Sequence, residues 1–215
     1  MAFRVCVEGN IGSGKSAALE RLAALRPGLA IFPEPVEQWG DILDRFYSDP
    51  AAWAFAFNLR VLLSFVPPAR AAEEGKGVAV ERSPLSCRHV FGQLAFNEGR
   101  MTQEEWALFK EYADVLGWSP DVIVYVHTPP EECLARIERR GRPAERHLDA
   151  DYIKRIDFQY ETMLRYADVP VVRIDGTGDP EAIAAAIAEV VDSAAEKAQL
   201  RSGAGGAASA AFTRP

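Results

Sequence analysis

Cysteine is scarce in this chain: Cys6, Cys87 and Cys133 are the three in 215 residues, far apart and without a C-x-x-C pair. That spacing excludes a disulfide framework and a structural zinc site, and it fits a reducing compartment. A basic surplus is also missing, because 24 Lys and Arg face 31 Asp and Glu for a net charge of −7. A broad nucleic-acid surface is therefore not expected as a partner, nor is an anionic membrane. No apolar run approaches the ~20 residues of a membrane span. The first apolar run begins at Phe3, which leaves no room for a removable targeting segment, so the expected localisation is cytoplasmic. The remainder, 48% hydrophobic and 26% charged, is ordinary for a globular domain. The length suits a single α/β core.

The most informative segment is Gly9-Asn10-Ile11-Gly12-Ser13-Gly14-Lys15-Ser16, a complete G-x-x-x-x-G-K-[ST] phosphate-binding loop. Gly9, Gly12 and Gly14 permit close backbone approach to a phosphate chain. Lys15 is expected at the β- and γ-phosphates and the Ser16 hydroxyl at Mg²⁺. Phe3 to Val7 reads as a strand and Ser16 to Leu25 as a helix. A strand–loop–helix sets the phosphates on a helix N-terminus, where free N–H groups favour anions.

Further strands are expected at Ala30–Phe32, Gly77–Val80, Val122–Val126 and Val171–Ile174. The unbroken apolar run at Val122 is typical of a central parallel strand. Helices are expected over Asp41–Tyr47, Pro50–Phe65 (interrupted at Pro67-Pro68), Pro84–Asn97, Thr102–Leu116, Pro130–Arg140, Ala150–Tyr166 and Asp179–Leu200. Thr102 to Glu105 forms a capping box. The fold expected is α/β, a five-stranded parallel sheet covered by helices on both faces, as one domain over 1–200. A Gly/Ala/Ser-rich tail over 201–215 is expected to be disordered. Ligands of such a sheet sit at the carboxyl ends of the strands.

Polar motifs fall at those ends. Glu34-Pro35-Val36-Glu37-Gln38-Trp39 follows the second strand, where Glu34 can accept a proton from an attacking hydroxyl. Glu81-Arg82-Ser83 follows the third, with Glu81 a candidate near Mg²⁺ and Arg82 a candidate for a phosphate or a reacting oxygen. Arg136, Arg139, Arg140, Arg142 and Arg146 surround Gly141 and Pro143, the pattern of an arginine lid over transferring phosphates. Trp39, Tyr47, Trp53, Phe55, Phe57, Phe65 and Phe91 supply aromatic surface, some of it suited to stacking walls for a planar acceptor.

These motifs, in order, resemble the deoxyribonucleoside kinase family from about Phe3 to Asp179. The match rests on Gly9 to Ser16, Glu34-Pro35-Val36-x-x-Trp39, Tyr47-x-Asp49-Pro50-x-x-Trp53-Ala54-Phe55-x-Phe57, Glu81-Arg82-Ser83-x-x-Ser86-x-Arg88 with Phe91 beyond, and Arg140-x-Arg142-x-x-Glu145. The resemblance implies a P-loop kinase fold with an arginine lid. It implies phosphoryl transfer from ATP with Mg²⁺ to the 5′-hydroxyl of a deoxynucleoside, in nucleotide salvage. By resemblance Glu34 is the general base and Arg82 its partner. Ser16 and Glu81 take the Mg²⁺ positions, and Tyr47 and Glu145 hold the 3′-hydroxyl. Trp39 and Phe91 are aromatic walls around the base, Val61 is a further substrate-binding residue, and Arg136, Arg140 and Arg142 are the lid arginines. Adenine is implied over Arg140 and the loop at Asp175 to Asp179, and the assembly implied is a homodimer. Asn58 stands where the family usually has Gln. Cys87 stands where purine- or cytidine-favouring relatives carry Asp, and Phe65 replaces a smaller or charged residue. This set implies a pyrimidine preference with thymidine first.

The competing expectation is a nucleoside monophosphate kinase of the thymidylate kinase type, with the same fold and donor. Glu34 opposes it, because an already anionic acceptor needs no base and is repelled by a carboxylate. A nucleotide-switched GTPase is opposed by the absence of Asn-Lys-x-Asp.

Overall fold

The structure, a computed structural model, describes residues 2–142, 145 and 148–209. Strands β1 (Phe3–Glu8), β2 (Ala30–Phe32), β3 (Gly77–Glu81), β4 (Val122–His127) and β5 (Val171–Asp175) form one parallel sheet in the order β2-β3-β1-β4-β5. These are the five strands expected from the sequence. Val5–Val7 of β1 and Val122–Val126 of β4 are apolar without alternation because both faces of the sheet are covered. Val5 and Val7, with Val122, Val124 and Val126, pack beneath α1 (Lys15–Leu25) and α10 (Pro180–Ser209). Cys6 points the other way, with Val78 and Val80, into a core shared with Leu62, Phe65 and Phe109. Ile123 and Tyr125 meet Ile156 and Tyr160 of α9 (Ala150–Arg165). Each fully buried aliphatic side chain, such as Leu19 or Ile187, contributes about 1.5–3 kcal/mol.

Several boundaries differ from the sequence reading. α2 (Val36–Ser48) opens five residues before the expected Asp41, but Gly40 (φ 45°, ψ −133°) breaks it, leaving a short turn ahead of the expected helix. α3 (Pro50–Leu63) is followed at once by α4 (Val66–Glu73), with Pro67 in the first turn of α4, where a missing N–H is harmless. Together Pro50–Glu73 are 24 residues, long and apolar enough by length and composition to cross a membrane. The expectation that no unbroken apolar run approaches that length still holds. Asn58, Arg60 and Ser64 interrupt any unbroken apolar run, but the averaged segment still passes. The expected helix Pro84–Asn97 is three pieces, α5 (Pro84–Ser86), a π-helical turn (Cys87–Gly92) and α6 (Gln93–Asn97). α7 (Gln103–Leu116) carries the expected capping box, Glu105 N–H donating to Thr102 Oγ1 at 3.1 Å and Thr102 N–H to Glu105 Oε2 at 2.8 Å. α8 (Pro130–Arg140) ends at Gly141. α10 continues to Ser209, so the boundary at 200 read from composition falls inside a helix; alanine favours that continuation. Pro143, Arg146 and the tail beyond 209 lie outside the described residues.

The order of strands places the loops after β1, β2 and β3 side by side at one edge, with the segment after α8 above them. That edge holds the site.

Candidate active site

The phosphate loop follows β1 directly. Gly9, Gly12 and Gly14 all have positive φ (149°, 80° and 98°). A Cβ on Gly12 would lie 2.5 Å from the Cys133 carbonyl oxygen of α8, and one on Gly9 the same distance from the Val126 carbonyl. Backbone crowding as well as conformation therefore demands glycine. Asn10 Nδ2 donates to Ile153 O at 2.9 Å and Thr128 Oγ1 donates to Ser13 O at 3.1 Å, pinning the loop to α9 and to the end of β4. Lys15 Nζ lies over its own loop, donating to Asn10 O at 2.7 Å and Ser13 Oγ at 3.3 Å. Burial, reinforced by the nearby Arg82 guanidinium, lowers its pKa to about 8.

Glu34 and Arg82 meet beside this loop. Arg82 Nε donates to Glu34 Oε1 at 2.8 Å, with only 6% and 21% of the two side chains exposed. Arg82 has φ 65°, an uncommon conformation for a side-chain-bearing residue and one that clusters at functional sites. Burial acts to lower its pKa, but the carboxylates of Glu34, Glu81 and Glu8 outweigh this and raise it. Arg82 is thus a fixed cation. Glu81 Oε1 accepts from Ser16 Oγ at 2.8 Å, and its Oε2 accepts from Glu34 N–H at 3.2 Å. The Ser16 hydroxyl and Glu81 carboxylate are adjacent hard oxygens at the phosphate loop, the donor chemistry that Mg²⁺ takes. That ion needs only one or two protein oxygens, the rest coming from water and phosphates. Among the described residues no group of three or more His, Cys, Asp or Glu forms a protein-only metal cage.

Arg136, Arg140 and Arg142, the arginines expected in a lid, line the same cleft. Arg136 Nη1 donates to Gly176 O at 2.9 Å and Ser13 O at 3.3 Å, and its Nε to Glu132 at 2.9 Å. It therefore joins α8, the phosphate loop and the turn after β5. Arg140 binds Glu145 through Nε (3.1 Å) and Nη2 (2.7 Å), and Arg142 Nη1 lies 3.5 Å from the same carboxylate. Asp175 is not among the cleft-lining residues; its Oδ1 accepts from Thr177 N–H and Oγ1 in its own turn.

A cleft of about 920 Å³ runs from the loop into the helices, lined by Glu34, Trp39, Tyr47, Asn58, Val61, Phe65, Cys87, Phe91 and Glu145 together. Trp39 meets Phe57 edge-on at 5.5 Å, and Phe57 stacks on Phe46 at 4.7 Å. The Arg82 guanidinium lies 4.5 Å from the Phe91 ring centre. Trp39 Nε1 is buried without a protein partner among the described residues. Asn58 Nδ2 donates to Ala54 O at 2.8 Å, one helical turn back. A carbonyl only accepts, so the amide nitrogen must face it. The Cys87 thiol donates to the Asn58 carbonyl at 3.6 Å, and burial pushes its pKa up, so it stays neutral. Burial likewise raises the Tyr47 phenol.

Sequence reasoning missed Tyr152 and Arg100, which line the cleft, and Glu8 and Tyr160, which lie beneath it. A carboxylate closing the apolar run Val5-Cys6-Val7 marks Glu8 as unusual. No local pattern distinguishes Tyr160 from any buried aromatic of an amphipathic helix.

The sequence profile described as "Deoxynucleoside kinase" matches residues 5–197. A probable deoxycytidine kinase of fowlpox virus is 30% identical over 189 residues, covering 82% of this chain and 80% of that protein. The thymidine kinase of ictalurid herpesvirus 1 is 33% identical over 203 residues, covering 86% and 84%. Human deoxycytidine kinase is 26% identical over 219 residues, covering 82% and 84%. A profile spanning the sheet, the phosphate loop and the lid arginines agrees with the geometry of the cleft, and the chain belongs to the deoxynucleoside kinase family.

Proposed function

We propose that this kinase transfers the γ-phosphoryl group of ATP to the 5′-hydroxyl of a deoxynucleoside, thymidine before the others. The observation that carries the reading is the Glu34–Arg82 pair, held at 2.8 Å where the phosphate loop meets an aromatic-walled cleft. The loop and Lys15 hold the donor phosphates. Ser16 and Glu81 would hold Mg²⁺, which would supply charge neutralisation at the phosphate oxygens. The acceptor oxygen bonds to the γ-phosphorus, the bond to the β–γ bridging oxygen breaks, and Glu34 takes the hydroxyl proton as ADP leaves. Arg136, Arg140 and Arg142 balance the charge spread over the transferring group. Tyr47 and Glu145, both lining the cleft, take the 3′-hydroxyl.

The thymidine preference is supported by what surrounds Asn58. Its nitrogen is directed at Ala54, so Oδ1 is the atom left to accept from a base N–H. Cys87 and Phe65 add no charge. Thymine offers an N3–H from the ring, whereas cytosine accepts at N3 and offers an N–H only from its exocyclic N4 amino group, so the reading requires Oδ1 to face the ring position N3.

A homodimer is supported by an apolar stripe on α7, where Leu108, Tyr112 and Val115 are exposed at helical spacing.

The test is phosphate transfer from ATP-Mg²⁺ to thymidine, deoxycytidine, deoxyadenosine, deoxyguanosine and thymidine monophosphate. Thymidine first among nucleosides, with the monophosphate inert, supports the proposal. Deoxycytidine first would overturn the base assignment alone. Transfer to the monophosphate alone would favour a nucleotide kinase and remove the role given to Glu34.

A further inference from the structure

Beneath the cleft lies a buried polar chain that the transfer chemistry does not by itself require. Glu8 and Tyr160 are both fully buried, and neither lines the cleft. Arg82 Nη1 donates to the Tyr160 hydroxyl at 2.6 Å and to Gly9 O at 3.1 Å. The Tyr160 hydroxyl accepts from Arg82, so its single proton goes to Glu8 Oε2 at 3.0 Å. Glu8 Oε1 accepts from Ser83 Oγ at 2.5 Å. With the Arg82 Nε bond to Glu34, every link has a determined direction when Glu8 is ionised; burial raises its pKa, and Ser83, Arg82 and Tyr160 act to lower it. Burying a carboxylate and a phenol under a site is unfavourable unless both are bonded, and apolar side chains would fill the space without that penalty.

We infer that Tyr160, held by Glu8, is a positioning residue that fixes the Arg82 guanidinium and through it aims the Glu34 carboxylate at the acceptor hydroxyl. The geometry explains why one group is not enough. Arg82 stands in a left-handed backbone conformation at the end of β3. Its side chain is gripped from α9 by Tyr160, from the phosphate loop by the Gly9 carbonyl and from the loop after β2 by Glu34. These contacts engage Nε and Nη1 and leave Nη2 without a protein partner among the described residues, available to a substrate oxygen. The Phe91 ring covers one face of the guanidinium at 4.5 Å, and Phe91 also meets Tyr160 edge-on at 6.3 Å. α9 is tied to the phosphate loop a second time through Asn10 and Ile153. The same helix thus sets both the donor loop and the base.

The inference rests on the reading of Glu34 as general base, and the test separates the two. Tyr160→Phe deletes one oxygen. It is expected to lower kcat about 10- to 100-fold, as a misaimed reacting group does, with KM for ATP and nucleoside changed less than about threefold. In a Glu34→Gln background the same substitution is expected to change kcat by less than about threefold, because the group it aims is gone. An unchanged kcat, an effect confined to KM, or the same factor in both backgrounds would overturn the inference. Near-normal turnover of Glu34→Gln alone would overturn both readings. A crippled Glu34→Gln with a fully active Tyr160→Phe would overturn only this one. If Tyr160→Phe does not fold, Glu8→Gln carries the same comparison, since its amide has one oxygen for two hydroxyl protons.

Discussion

Replacing Glu34 by Gln separates its two roles, because the shape stays while the base is lost. Removing one partner of a buried ion pair outright costs about 3–5 kcal/mol. Arg82 is 6% exposed but Glu34 is 21% exposed, so the cost here lies at or below the lower end of that range. Gln keeps an oxygen for Arg82 Nε, and the guanidinium keeps Tyr160 and the Gly9 carbonyl. What remains is the difference between a charged and a neutral acceptor, about 1–2 kcal/mol. At about 2–4 °C per kcal/mol for a chain of this size, Tm should fall by roughly 2–8 °C. Turnover should fall much further. A positioned base contributes about 10²–10⁴-fold, equivalent to roughly 3–5 kcal/mol of barrier. The assay is initial rates at saturating ATP-Mg²⁺ and nucleoside, beside a thermal melt of the same preparation. KM for ATP should stay within about threefold, since Glu34 does not touch the loop that holds the phosphates. A kcat within about threefold of the parent, with the Tm loss present, would show that the carboxylate only braces Arg82.

Lys15 has a folded pKa of about 8, below its ordinary value, so between about pH 8 and 10.4 the unfolded state binds more protons and its contribution to stability rises with pH. Phosphates at Nζ restore the proton, so ATP binding near pH 8.5 should take up protons, read by calorimetry in buffers of different ionisation enthalpy; zero uptake would contradict contact between Lys15 and the phosphates. Gly12→Ala places a Cβ 2.5 Å from the Cys133 carbonyl at φ 80° and should lower kcat/KM for ATP by about 10²-fold; near-parental kcat/KM would mean the loop and α8 separate freely. Val115→Arg, on the most exposed apolar residue of α7, should shift a dimer to monomer in sedimentation, and an unchanged dimer would place the interface elsewhere.

Much of the site was legible because its chemistry is carried by contiguous residues. The phosphate loop is eight adjacent residues, and Glu34, Glu81 and Arg82 each stand just after a recognisable apolar strand. The cleft then gathers Trp39, Tyr47, Asn58, Val61, Phe65, Cys87 and Phe91 along one wall-to-wall lining. What was not legible depends on geometry between distant segments. The π-helical turn at Cys87–Gly92 has no compositional mark, and neither does the way Asn58 spends its amide on Ala54. The pairing of Arg140 with Glu145 was also unforeseen, because both were assigned to ligands rather than to each other.

The sequence by itself determined the strands, the phosphate loop and the candidate reactive groups, because backbone preferences and apolar periodicity are written over short spans. Only the tertiary structure decided which groups touch. Tyr160 reaches Glu8 across 152 positions and Arg82 across 78, and Arg82 reaches Glu34 across 48. Those contacts exist because the strand order β2-β3-β1-β4-β5 brings the ends of β1, β2 and β3 side by side, with Tyr160 of α9 reaching Glu8 and Arg82. No local rule records that order, since it is settled by which apolar faces the helices can cover at once.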